Sequence, residues 1–278
     1  MRRIQVIVTK RIFQMLAVAA LPMMSAFGDT MIYNSNPSPL PGNLPSLGYQ
    51  ANQTAEFGDL IQFAPGPRNL TSATVTMSDW ALESTYETVG TSAGYTHPLT
   101  LNLYTVGAGN TVGSLIGSDT ISAFVPWRPE ADPTCPGGTA WRNGAGTCFN
   151  GLAFQVSFDF SGLLVPDEVI YGLAFNTNTW GYNPIGLPGP YESLNFALSA
   201  AGASIGSDPL PGTAYWNTMT AANYTDGGTG GVGTFRQDTG WGYVGAIDFQ
   251  ANVPEPSGII LLGTLVGALS LLRRKRAA

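Results

Sequence analysis

The sequence predicts an all-β domain, built as an antiparallel β-sandwich or as the jelly-roll form of one. Apolar and polar residues alternate in several short runs, most clearly over 152–160. A period of two sends successive side chains to opposite faces of a strand, so one face of each run is apolar. Turn-forming Gly, Pro, Asn and Asp residues separate the runs, which is typical of antiparallel sheets. No repeat of fixed period is visible, which argues against a propeller or a solenoid.

The alternating runs define the candidate strands of a domain over 51–252. They are 73–77, 99–103, 152–160, 169–175 and 194–198, followed by a final strand over 243–251. Residues 29–50 are rich in Pro and Asn and are predicted to form an extended lead-in rather than a strand. Residues 201–243 are Gly-rich and are expected to form long loops with one strand. Trp80 follows an alternating run and is expected in the core.

The first 28 residues have the features of an N-terminal signal peptide. A basic segment contains Arg2, Arg3, Lys10 and Arg11, and the stretch 15–24 is mostly apolar. Ala26 and Gly28 then occupy the small-residue positions of a cleavage site. Export with cleavage after Gly28 is therefore predicted.

The last 26 residues combine a short motif, an apolar segment and a basic end. The motif is Val253, Pro254, Glu255 and Pro256, and the basic end is Arg273, Arg274, Lys275 and Arg276. The segment 258–272 between them predicts a C-terminal single membrane helix. Its 15 residues fall short of the about 20 that a bilayer core normally requires. The positive-inside bias keeps the basic end in the cytoplasm and places the preceding domain outside.

These two ends resemble those of the PEP-CTERM family of exported bacterial proteins. The resemblance covers the signal peptide and the tail, not the domain between them. It implies recognition by a membrane-embedded exosortase, removal of the tail near the motif and a Gram-negative host that makes exopolysaccharide. The domain would be held in the periplasm at the inner membrane before processing, and at the cell surface or in the extracellular matrix afterwards.

The predicted mature domain, 29–252, is strongly acidic. It has four arginines, no lysine and 17 acidic residues, which gives a formal charge of −13. Nucleic-acid binding requires clustered Lys and Arg side chains, so the composition excludes that function class.

The only two cysteines, Cys135 and Cys148, bracket a Gly-rich loop. An even cysteine count in an exported chain indicates a disulfide. A metal or catalytic thiol pair is the alternative, but no second pair or nearby histidine supports it.

No catalytic residue is predicted, and the protein is not expected to be an enzyme. The single histidine, His97, has no nucleophile motif near it. A glycosidase pair could be formed from five acidic residues, but nothing in the sequence fixes two of them at a catalytic separation, and solvated surface positions are the favoured interpretation; they are Glu83, Glu87, Asp167, Glu168 and Glu192.

No cofactor is expected apart from a structural calcium ion, for which Asp226 and Asp238 are the candidate ligands. An acidic β-domain has spare oxygen ligands in its loops, although no EF-hand or repeat spacing is present.

Aromatic residues concentrate in the Gly-rich loops. The candidate glycan contacts are Trp180, Tyr182, Trp216 and Trp241, with Tyr191, Tyr224 and Tyr243 nearby. Flat rings on rigid loops can stack on sugars. The alternative is that these rings cover the ends of the core.

These observations lead to the expectation of an exported cell-envelope or exopolysaccharide-matrix protein with a structural or adhesive role. A carbohydrate-binding module is one alternative, and a polysaccharide-acting hydrolase is another. The expected partners are the exosortase, the membrane through the C-terminal helix, and exopolysaccharide.

Overall fold

The structure, a computed structural model, describes residues 29–85, 91–177 and 193–252. Several predicted features lie outside these residues; they are the signal peptide, Glu87, Trp180, Tyr182, Tyr191, Glu192 and the sorting signal over 253–278. The described part is all-β, as predicted, and contains no α-helix. No helix among the described residues has the length and apolar character needed to cross a membrane.

Fifteen strands and four single-turn 3-10 helices form the described part of the chain. The strands are β1 Thr30–Asn34, β2 Ser46–Gly48, β3 Thr54–Gln62, β4 Asn69–Asp79, β5 Gly94–Val106, β6 Val112–Pro126, β7 Trp141–Arg142, β8 Cys148–Phe149, β9 Leu152–Leu164, β10 Glu168–Ala174, β11 Leu194–Ser199, β12 Thr213–Thr218, β13 Arg236–Thr239, β14 Val244–Gly245 and β15 Ile247–Asn252. The 3-10 helices are Glu83–Thr85, Ala108–Asn110, Pro136–Gly138 and Ala221–Asn223.

The strands form two large sheets and one small hairpin, and the sheets curl into a half-barrel. The seven-stranded sheet has the order β1-β15-β4-β11-β14, with β9 also paired to β4 and β2 to β11. The six-stranded sheet has the order β13-β12-β3-β10-β5-β6, and β7 pairs with β8. Every strand pair described is antiparallel, as the alternating patterns predict.

The apolar rows of both sheets contribute to one hydrophobic core. Val75 of β4 and Leu101 of β5 are fully buried in it, together with Leu173 of β10. These residues belong to alternating runs that the sequence marks as strands, and their buried positions confirm the predicted inward faces. Aromatic contacts fill the core, such as Tyr49 stacked on Phe175 with ring centroids 3.8 Å apart.

Three local predictions were wrong. The lead-in contributes two strands: β1 lies along β15, and β2 pairs with β11. Its prolines lie between these strands, where they remove no ladder hydrogen bond. The segment 201–243 contains two strands, β12 and β13, instead of one. Trp80 is 43% exposed rather than buried, because β4 ends at Asp79.

The predicted disulfide between Cys135 and Cys148 is present, with an S–S distance of 2.04 Å. It joins the 3-10 turn that starts at Pro136 to strand β8. This bond closes the Gly-rich loop, which also contains the small β7–β8 hairpin.

Candidate functional site

A surface pocket of about 280 Å³ lies where three loop segments meet. The segments are 199–202 after β11, 208–212 before β12 and 241–244 leading into β14, and we call the site the Tyr243 pocket. The carbonyl oxygen of Gly212 accepts hydrogen bonds from the amides of Gly240 at 2.9 Å and Trp241 at 3.1 Å. Gly212 and Gly240 have φ of 87° and 84°, a left-handed backbone conformation that glycine adopts without strain.

Two aromatic side chains line the Tyr243 pocket and differ in exposure. Trp241 packs on Phe57 and Trp216, with ring centroids 4.9 and 5.0 Å away, and its Nε1 donates to Asp238 at 3.2 Å. Tyr243 is 42% exposed and presents its ring to solvent. Trp241 therefore forms a wall of the pocket that is packed against the core, while Tyr243 forms an aromatic surface that a ligand can reach.

Asp208 is the only carboxylate among the described residues that line the Tyr243 pocket. Its Oδ1 accepts a hydrogen bond from the Leu210 amide at 2.8 Å, and burial raises the pKa of its carboxyl group. A half-buried carboxyl group of this kind can accept hydrogen bonds from hydroxyl groups when ionised and donate one when protonated.

Asp59 lies in the core and interacts electrostatically with Asp208. It is 1% exposed, and burial, followed by the charge of Asp208, raises its pKa well above the ordinary range. Its Oδ1 accepts from the Leu60 amide at 2.8 Å, whereas Oδ2 has no hydrogen-bond partner among the described residues. Burial therefore favours the neutral form of the Asp59 carboxyl group, and its side chain is not accessible to a ligand in the pocket.

The structure places the predicted glycan contact Trp216 inside the core. Trp216 is 3% exposed on β12, and its Nε1 donates to Thr54 Oγ1 at 2.9 Å. Tyr224 is also buried, with the Arg236 guanidinium 3.9 Å above its ring. Trp241 and Tyr243, in contrast, line the Tyr243 pocket.

The two predicted calcium ligands are already engaged by donors of the protein. Asp226 forms an ion pair with Arg236 at 2.8 Å and accepts from the amides of Gly228 and Gly230; the Arg236 hydrogen bond lowers the pKa of Asp226. Asp238 accepts from the amide and hydroxyl of Thr225. Within the described ranges, no group of three or more His, Cys, Asp or Glu side chains is arranged to hold a metal ion. Calcium binding stays a prediction that would require displacing these donors.

The residues considered for catalysis are scattered. His97 is buried, with its ring 5.5 Å from that of Phe175 in an edge-on contact. Asp167 forms a surface ion pair with Arg68 at 2.8 Å. Glu83 is exposed in the first 3-10 helix, and Glu87 and Glu192 lie outside the described residues.

Sequence reasoning missed both Asp208 and Trp80. Asp208 lies in a segment without alternation, beside two prolines, where no local pattern distinguishes it from a solvated turn acid. Trp80 lines a second, smaller pocket of about 150 Å³. Its position directly after the alternating run, at the junction with a loop, is the one signal that could have indicated exposure.

Comparison of the chain with known protein families, with curated proteins and with solved structures found no match. Function is therefore inferred from the residues and their geometry.

Proposed function

We propose that the chain is an exported protein of the cell envelope or exopolysaccharide matrix with a structural or adhesive role. Support comes from the signal-like N-terminus, from the Pro-Glu-Pro motif followed by an apolar segment and a basic end, and from the acidic, disulfide-bonded domain. In this proposal an exosortase recognises the motif while the helix over 258–272 holds the chain in the membrane. The domain then lies outside the cytoplasm.

The finer architecture proposed for the domain is a β-sandwich of the jelly-roll type. It is supported by two antiparallel sheets whose apolar faces contribute to the same hydrophobic cluster. This arrangement positions loops at the ends of the sheets, where binding residues commonly lie.

The adhesive role is proposed to rest on carbohydrate binding in the Tyr243 pocket. The main support is Tyr243, which is 42% exposed and lines, together with Asp208, a pocket of about 280 Å³. An aromatic ring stacks on the apolar face of a pyranose, while a carboxylate and backbone groups bind its hydroxyls. The few Arg residues and the charge of −13 favour neutral over anionic polysaccharides.

A glycan array probed with the full-length protein in detergent tests this proposal. We expect binding to neutral glycans that falls about tenfold in Tyr243→Ala and less in Asp208→Asn, since the ring provides most of the contact area. Leu115→Ala is the matched control, because Leu115 is 54% exposed on β6 and does not line the pocket. Absence of binding to any glycan, or equal binding by the wild type and Tyr243→Ala, would overturn the assignment of this pocket.

A polysaccharide-acting hydrolase is the alternative, and it is favoured by the raised pKa of Asp208 in a pocket. Glycoside hydrolysis normally needs a second carboxyl group on the opposite side of the bond. Asp59 interacts with Asp208 but is 1% exposed, so it would have to become accessible. Release of reducing ends from neutral polysaccharides by the wild type, and its loss in Asp208→Asn, would support this alternative over binding alone.

A further inference from the structure

A second concave site lies around the exposed indole of Trp80, and we call it the Trp80 pocket. It has a volume of about 150 Å³ and is lined by Gly48, Gln50, Ala51, Trp80, Ser193 and Asn195. Trp80 is 43% exposed, the highest fraction of any tryptophan among the described residues. A large aromatic surface that stays in contact with water, next to a small pocket, is a feature of ligand sites.

The Trp80 side chain is held in place by the protein rather than left free to rotate. Its Nε1 donates to Ser78 Oγ at 3.0 Å, and Ser78 Oγ donates to Asn43 Oδ1 at 2.7 Å. The backbone of Gly151 lies against the indole edge so closely that a Cβ there would approach Nε1 to 2.6 Å. The indole N–H therefore has a hydrogen-bond partner within the protein, and the ring is held in one position before a ligand binds. Binding then costs little further side-chain conformational entropy.

The polar groups around the indole are neutral amides and a hydroxyl. Asn195 and Gln50 are partly exposed, and no charged side chain is among the described residues that line this pocket. Each amide provides a donor and an acceptor, which matches the hydroxyl groups of a sugar.

We propose that the Trp80 pocket binds one pyranose unit of a neutral polysaccharide. The sugar ring stacks on the exposed face of Trp80, and its hydroxyls form hydrogen bonds with the amides of Gln50 and Asn195. This proposal shares its ligand class, neutral polysaccharide, with the proposed function. It depends on different residues, so it can be tested independently of the Tyr243 pocket.

The two pockets lie at opposite ends of strand β11. Asn195 lines the Trp80 pocket and Ser199 lines the Tyr243 pocket. These two residues are four positions apart, which corresponds to about 13 Å along a strand. Two separate sites on one domain can bind one long polysaccharide twice, which raises the overall avidity, or they can link two polysaccharide chains. A bivalent domain suits an adhesive or cross-linking role.

Titration of the full-length protein in detergent with the disaccharide units of β-1,4-glucan, α-1,4-glucan and β-1,4-mannan, which are too short to occupy both pockets, counts the sites, and titration with the corresponding polysaccharides measures the avidity; intrinsic fluorescence and calorimetry are the readouts. We expect two binding sites per chain for at least one of them. Trp80→Ala should remove one site and weaken polysaccharide avidity about tenfold or more, while Trp80→Tyr should retain part of it. Asn195→Ala and Gln50→Ala provide further variants in which the indole is kept.

The outcomes separate the two proposals. Loss of one site in Trp80→Ala, with the other lost in Tyr243→Ala, supports both. A wild-type stoichiometry unchanged by Trp80→Ala, Asn195→Ala and Gln50→Ala overturns the Trp80 site and leaves the Tyr243 pocket unaffected. Loss of binding in Trp80→Ala but not in Tyr243→Ala overturns only the Tyr243 pocket. Absence of binding to all three disaccharides and their polysaccharides overturns the Trp80 site.

Discussion

Replacing Glu56 by glutamine changes the charge of a buried group in the middle of the six-stranded sheet. Glu56 on β3 is 2% exposed, and its side chain extends across Gly172 of the neighbouring strand β10, where a Cβ would collide with it. Its Oε1 accepts hydrogen bonds from Asn102 Nδ2 at 2.8 Å and from the Tyr104 hydroxyl at 2.9 Å. Burial raises the pKa of Glu56 from 4.5 to about 7, although these two hydrogen bonds lower it.

The raised pKa of Glu56 determines both the sign and the size of the stability change expected for Glu56→Gln. Because the folded state favours the protonated form, the associated stabilisation is fully present below pH 4.5 and is lost as the pH rises to about 7. The difference between these two pKa values corresponds to about 3 kcal/mol, at about 1.4 kcal/mol per pH unit. Glutamine stays neutral at every pH and keeps an oxygen that can accept both hydrogen bonds.

We therefore expect Glu56→Gln to be more stable than the wild type by up to about 3 kcal/mol at pH 8 and about equal to it at pH 4. Urea unfolding at four pH values between 4 and 8.5 measures the difference. Glu83→Gln is the control, because Glu83 is exposed and its replacement should leave the pH dependence unchanged. A Glu56→Gln variant that is less stable at pH 8, or a difference that does not change with pH, would refute the reasoning.

Three further predictions concern the stability of the fold and the candidate calcium site. Replacing both Cys135 and Cys148 by alanine should cost about 3 kcal/mol in unfolding free energy, since the cross-link spans 13 positions, and no change relative to the oxidised wild type would contradict this. Gly58→Ala should lower the free energy of unfolding by about 3 kcal/mol or more, because a Cβ would collide with the Tyr171 carbonyl. Gly144→Ala should change it by less than about 0.5 kcal/mol, because nothing lies within 4 Å of the position of its Cβ. Equal effects of the two substitutions would contradict the packing argument. Calcium binding at Asp226 would have to displace Arg236; a calcium-dependent rise in Tm that Asp226→Asn abolishes would support the predicted calcium site, and an unchanged Tm would contradict it.

The alternation of apolar and polar residues predicted the strands that have one buried apolar face and one polar face. Ala73, Val75 and Met77 alternate with polar residues, and all three are fully buried on β4. The disulfide was predictable because the chain has only two cysteines. Both features depend on residues that are close in sequence or unique in the chain.

The remaining features depend on partners that are distant in sequence. Strand β1 is stabilised by pairing Thr30 with Ala251, a contact that residues 29–50 alone do not encode. Strand β3 is buried on both faces and contains Glu56 and Asp59, so its sequence lacks clean alternation. The Tyr243 pocket assembles from three separate loops, and its acid, Asp208, can be identified only once those loops are brought together.

The central claim is that the β-domain of an exported protein adheres to polysaccharide. The most direct test is calorimetric titration of the full-length protein and its Tyr243→Ala variant with neutral oligosaccharides. We expect saturable binding by the wild type and a loss of about tenfold in affinity at one site in Tyr243→Ala, with Leu115→Ala unchanged. Failure of the wild type to bind any neutral oligosaccharide, or identical titrations for all three proteins, would contradict it.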